Sequence, residues 1–167
     1  MNNLKLLEDR IGRIHSIPKI KNEIRHDYER ILSMFFGKEI NLISIKRGIF
    51  LSKSPKDIIS CDYFEKVHDT LIKEVCNKDI GGGEYEDYSR CVIFKYNDDK
   101  KFMFVRSGIA PKYLNGKRLI RESQILKECP SVQNILIEIG YLEGRMIDLK
   151  KQELENRIGD NIKCIVE

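Results

Sequence analysis

What the chain lacks narrows its reading first. Its five cysteines, Cys61, Cys76, Cys91, Cys129 and Cys164, stand 15, 15, 38 and 35 residues apart. No Cys-x-x-Cys pair exists and no histidine accompanies one, which speaks against a zinc site. An odd, scattered set fits reduced, buried thiols in a cytosol better than a disulfide framework. Lys5, Glu8, Asp9 and Arg10 occupy the place of a signal peptide's apolar core. No run approaches the ~20 apolar residues of a membrane span. A cytoplasmic protein with no membrane contact is the expectation.

Alanine is nearly missing: Ala110 stands alone against 25 isoleucines and 19 lysines. Alanine is the best helix former, so conformational preference does not explain the bias, whereas an A/T-rich genome does. With the size of the chain, that fits a protein carried by a phage or mobile element.

Nucleotide and cofactor signatures are absent too. Gly81, Gly82 and Gly83 are followed by no Lys-Ser or Lys-Thr, and the spaced glycines of a dinucleotide fold do not occur. Glu84, Glu86 and Asp87 lack the ligand spacing of a calcium loop. No serine, cysteine or aspartate sits in a nucleophile elbow. Neither cofactor nor metal is expected.

What remains is a chain of 167 residues, long enough to bury roughly 70% of its unfolded surface as a single domain. Its periodicity indicates an α+β fold: a small antiparallel sheet, helices packed on one side, and a long C-terminal helix. Residues 1–37 read as a helical hairpin. Leu4, Leu7, Ile11 and Ile14 recur at helical steps, Pro18 interrupts, and Ile20, Ile24, Tyr28, Ile31 and Phe35 form a second face ending at Gly37. Residues 38–108 read as a mixed strand and helix core. There residues 39–53 alternate, with Arg47-Gly48 as a plausible break, and Ser54-Pro55 marks a turn. Asp62 and Glu65 have capping-box spacing before a third helix. Arg90–Tyr96 and Lys101–Arg106 form a hairpin around residues 97–100.

Residues 109–167 hold a basic segment, the C-terminal helices and a terminal strand. A helix is expected over 117–128, then a longer one after Pro130 and Ser131. The longer one carries a seam of Val132, Ile135, Ile139, Leu142, Met146 and Leu149. Gly140 and Gly144 are expected to kink it, end it or mark a close helix crossing. Gly159-Asp160 reads as a turn, and Ile162, Cys164 and Val166 as a strand. The seam gives a candidate homodimer contact through helix 131–158.

Charge supplies the functional hint. Arg106, Lys112, Lys117, Arg118, Arg121 and Lys127 face only Glu122 over one stretch, whereas Glu84, Glu86, Asp87, Asp98 and Asp99 dominate the preceding one. Clustered cations dock anions, and Tyr113 adds a ring on which a base can stack. Arg106, Lys112, Tyr113, Lys117, Arg118 and Arg121 are therefore the candidate anion-binding residues. The partner would be nucleic acid, a nucleotide-like ligand or an acidic protein surface. Opposite patches could also join copies of the chain into an assembly.

Catalytic candidates are weaker. His68 falls on an apolar helix face, where a packed, hydrogen-bonded core histidine is the ordinary reading. Glu23 and His26 are three apart on one helix, near Asp27 and Arg30, a spacing that could share a metal or a proton but supplies half of any site. Arg10 and His15, with four residues between them, resemble the Arg-x4-His pattern of HEPN-type ribonucleases over six residues. That resemblance implies an all-helical RNA-cleaving protein. The chain departs from it in its alternating middle and in Ile11, where the pattern favours a polar residue. The expectation is a non-catalytic binding protein, with a phosphodiester- or nucleotide-acting enzyme using His26 or His15 as the alternative.

Overall fold

A computed structural model describes residues 3–51, 58–77, 88–97, 100–105, 113–114 and 117–166. The fold is α+β, and the elements run α1 (Asn3–Gly12), α2 (Ile17–Phe36), β1 (Leu42–Leu51), β2 (Ile59–Asp62), α3 (His68–Asn77), β3 (Tyr88–Tyr96), β4 (Lys100–Val105), β5 (Tyr113–Leu114), β6 (Lys117–Arg121), α4 (Glu122–Glu128) and α5 (Val132–Val166). They divide into two compact units, one of Met1–Ile31 with Ser131–Glu167 and one of Leu32–Pro130.

The first unit is helical. Ser16 starts α2: its side-chain oxygen lies 3.5 Å from the Lys19 amide and its carbonyl accepts from Ile20. Pro18 falls in the first turn, where its missing N–H costs nothing. The face of Ile20, Ile24, Tyr28 and Ile31 is fully buried, as its spacing requires. Helix α1 packs on α5. Two bonds of 2.8 Å add to this, from Tyr141 Oη to Glu8 Oε1 and from Arg145 Nε to the Ile14 carbonyl.

The seam from Val132 to Leu149 is buried within the chain, so those side chains are already taken. Past it, Leu154 and Ile158 stand exposed. Gly140 and Gly144 neither break α5 nor mark a close crossing: the helix runs through both, and a Cβ on either would meet nothing within 4 Å. The expected turn at Gly159-Asp160 and strand at 162–166 are also helix. Ile158, Ile162 and Ile165 keep helical steps, and three alternating residues were too few to outweigh a helix already propagating.

The second unit holds a six-stranded sheet ordered β2-β1-β3-β4-β6-β5. All neighbours are antiparallel except β4 and β6, which run parallel. The expected hairpin is β3–β4, turned by Asn97 at φ 36°, a left-handed value that asparagine tolerates. Gly37, at φ +67°, ends α2, and the Ile40 amide returns to Ser33 Oγ at 3.0 Å. The last turn of α2 meets the hairpin through rings: Phe36 lies 5.5 Å from Phe102 and 5.6 Å from Tyr96.

Arg47-Gly48 is no break. Strand β1 is continuous there, with Gly48 paired to Ser60 on one side and Cys91 on the other. Glycine serves packing at this position, because a Cβ would sit 2.8 Å from Cys91 Sγ and 3.2 Å from Ile58 and Ile93. Helix α3 also begins later than Asp62 suggests. Asp62 Oδ1 accepts from the Phe64 amide at 2.9 Å, a local turn that competes with a helix cap, and the helix starts at His68.

The clearest correction concerns residues 117–128. Residues 117–121 form strand β6, and only Glu122–Glu128 is helical. Leu119 and Ile120 pair with Met103 and Phe104 of β4 and are buried there. A short Leu-Ile run fits helix or strand equally by spacing, and the waiting sheet edge decided it.

Candidate functional site

Of the basic segment, Arg106 and Lys112 lie outside the described residues, as do the triple glycine, Glu84, Glu86, Asp87, Asp98, Asp99 and the Ser54-Pro55 turn. Lys127 lies in the last turn of α4, and Tyr113, Lys117, Arg118 and Arg121 belong to the β5–β6 ribbon. In its register Tyr113 stands opposite Arg118 and Leu114 opposite Lys117. Arg121 is exposed at the end of β6. Lys117, Arg118 and Arg121 are therefore residues of a strand, not of the helix expected over 117–128. Helix α4 has Arg121 as its N-cap, with no side-chain cap bond.

The histidines have different fates. His68 is buried, as expected of a core residue. Its Nδ1 lies 3.4 Å from Arg47 Nη1 and its Nε2 lies 3.1 Å from the Cys91 carbonyl. An arginine only donates, so Nδ1 accepts, Nε2–H donates, and the ring is neutral. His15 shows the same relation, its Nδ1 2.9 Å from Arg145 Nη2. His26 is exposed on α2. Among the described residues no group of three metal-ligating side chains could hold an ion.

Arg10 and His15 thus serve different partners. Arg10 pairs with Glu138 and, at 3.6 Å, with Glu23. Arg30 lies 3.1 Å from Asp27 Oδ1 and 3.5 Å from Glu138 Oε2. Two carboxyl groups, Asp27 and Glu138, therefore share two guanidinium groups, and Asp27 is only 4% exposed. Its Oδ2 is buried with no hydrogen-bond donor among the described residues.

Burial, and next the Glu138 charge, push the Asp27 carboxyl up to about 7, while Arg30 pulls the other way. A proton on Oδ2 resolves its missing partner, because the hydroxyl can donate to Glu138. Asp27 is enclosed, and the cluster joins α1, α2 and α5 through Arg10, Glu23, Asp27, Arg30 and Glu138.

Sequence spacing held a signal for this cluster. Asp27 lies three residues from Ile24 and four from Ile31, on the buried face, and Glu138 adjoins the seam at Ile139. Arg47 gave less warning. It is 3% exposed in β1, its Nε donates to the Tyr63 carbonyl at 2.8 Å, and its guanidinium lies 3.9 Å from the Tyr63 ring centre. An arginine stacked on a tyrosine face is a favourable desolvated arrangement, invisible until β1 and the turn after β2 are brought together.

No protein-family model, no curated protein and no solved structure matches the chain. Function therefore rests on the chemistry of these surfaces alone. Among the described residues no helix is long and apolar enough to cross a membrane.

Proposed function

We propose that this is a non-catalytic binding protein for a phosphate-bearing partner, single-stranded nucleic acid first, engaged through the β5–β6 ribbon. The observation that carries the reading is the register that sets Tyr113 opposite Arg118, with Lys117 and Arg121 on the same strand. Cations that track a phosphate backbone beside a ring on which a base can stack are the two components of sequence-tolerant single-strand binding. Arg106 and Lys112, in the adjoining segment, would extend the cationic track.

The test is fluorescence anisotropy with single-stranded RNA, single-stranded DNA and duplex DNA across a salt series. Wild type runs beside a chain with Lys117, Arg118 and Arg121 all changed to alanine. Each lost phosphate contact lowers the salt slope for a single strand by about 0.7, so the triple change should reduce it by roughly 2. Absence of binding to every probe at low salt would end this reading. Cleavage of a probe would replace it with the enzymatic one.

A further inference from the structure

Helix α5 changes surroundings half-way along. Its seam is buried as far as Leu149, whereas every residue from Lys151 to Ile158 is exposed. The helix nevertheless continues to Val166, so about 24 Å of it, at 1.5 Å per residue, extends past the buried seam. That stretch includes Gly159 with Asn156, Asp160 and Asn161, residues of low helix propensity. A short helix of such residues is marginal in water without a packing partner.

The apolar residues of this stretch lie on a different face from the seam. At 3.6 residues per turn the line of the seam runs on through Glu153, Asn156 and Asp160, all polar. Leu154 and Ile158 are 58% and 50% exposed. They sit roughly a third of a turn away, in line with the half-buried Ile147 and with position 165, again isoleucine. The packing that covers the seam therefore does not extend to this stripe.

Positions 147, 151, 154, 158, 161 and 165 advance by alternating steps of four and three, the spacing of a coiled-coil seam. Leu154 then takes a d position, and Ile158 and Ile165 take a positions, the combination that favours a parallel pair. Charge selects the same orientation. In a parallel pair Lys150 of one copy stands beside Glu155 of the other, and the contact occurs twice. An antiparallel pair would set Glu155 beside Glu155 and Arg157 beside Arg157. Lys151 and Asn161 occupy the remaining seam positions, where single polar residues fix register at a cost in stability.

We propose that two copies of the chain pair in parallel through this stripe, with Leu154 and Ile158 packing on their counterparts. The seam is short and carries two polar layers, so the association is weak and concentration-dependent. It does not involve the β5–β6 ribbon, and either proposal can fail without the other.

The experiment is sedimentation velocity of the full chain from micromolar to millimolar concentration. Variants are the double change Leu154→Glu with Ile158→Glu, at exposed positions that leave the core intact, and the ribbon triple change at Lys117, Arg118 and Arg121. The expected mass rises with concentration from one 19.6 kDa chain to two. The double change should weaken dimerisation at least tenfold, and the triple change should leave it unaltered. A monomer at every concentration overturns the proposal, as does a dimer that survives the double change or is lost in the triple change. Orientation is read from Leu154→Cys under oxidation. A parallel pair sets the two introduced thiols together and gives a covalent dimer beyond any formed by wild type, whereas no increase over wild type overturns the parallel arrangement.

Discussion

The two units enclose charge and glycine in opposite ways. In the helical unit the buried ionisable group is Asp27, beside Glu138, and the glycines of α5 face open space. In the sheet unit the buried charge is that of Arg47, beside the buried His68, and Gly48 next to it is walled in by Cys91, Ile58 and Ile93. A carboxyl group can neutralise itself by taking a proton, so the helical unit tolerates imperfect pairing at Asp27. A guanidinium cannot shed its charge. The sheet unit must instead satisfy it with the Tyr63 carbonyl, the Tyr63 ring and the neutral His68.

The contrast should break most visibly at Arg47. Arg47→Ala leaves a cavity and removes the donor to His68 Nδ1 and the Tyr63 carbonyl, and should cost about 3–5 kcal/mol in denaturant unfolding. Arg47→Met, which fills the space and carries no charge, should recover most of that loss. If the alanine variant is as stable as wild type, the burial of Arg47 contributes nothing to the sheet unit.

Next in size is the pH response at Asp27. Its native value of about 7 lies above its ordinary 3.8, so the folded chain holds this proton more tightly than the unfolded one. The resulting stabilisation is full below the ordinary value and is lost as pH rises through about 7. Between pH 5 and 8 the loss should be on the order of 2–3 kcal/mol, at about 1.4 kcal/mol per pKa unit. In Asp27→Asn that part of the slope should vanish, leaving the variant more stable than wild type at pH 8. Parallel slopes for the two proteins would remove the shared proton from the account.

The glycines sharpen the comparison at smaller scale. Gly48→Ala drives a methyl against Cys91 Sγ and two isoleucines, and should cost about 1–3 kcal/mol. Gly140→Ala and Gly144→Ala should act in the other direction, each raising stability by about 0.5–1 kcal/mol through helix propensity alone. Thermal unfolding of the three variants checks all of these signs. A stabilised Gly48→Ala chain would mean that β1 and β3 are less closely packed than their register implies.

Legibility followed the range of the interactions. The opening helices, the β3–β4 hairpin and the start of α5 could be read because their signals are local: apolar steps of three and four, a turn asparagine, a proline followed by a serine. The strand at Lys117–Arg121 could not, since its pairing partner is β4, a separate stretch of chain. The late start of α3 was hidden by Asp62, whose side chain suits a helix cap and a turn equally. Of the candidate site, Tyr113 and its neighbouring cations were visible as composition. Their strand register was not.

By itself the sequence determined the α+β class, the buried faces of α2 and α5, and the concentration of positive charge after residue 105, whereas of the face expected for α1 Leu4 is exposed and Ile11 is buried. Hydrophobic period and charge are properties of neighbours along the chain. Only the tertiary structure decided that Leu119 and Ile120 complete a sheet, that Gly48 is a spacer, and that Asp27 meets Glu138 between two arginines. Each of those outcomes depends on a partner more than ten residues away. The free energy that selects them, from burial, pairing or a shared proton, exists only once the partner arrives.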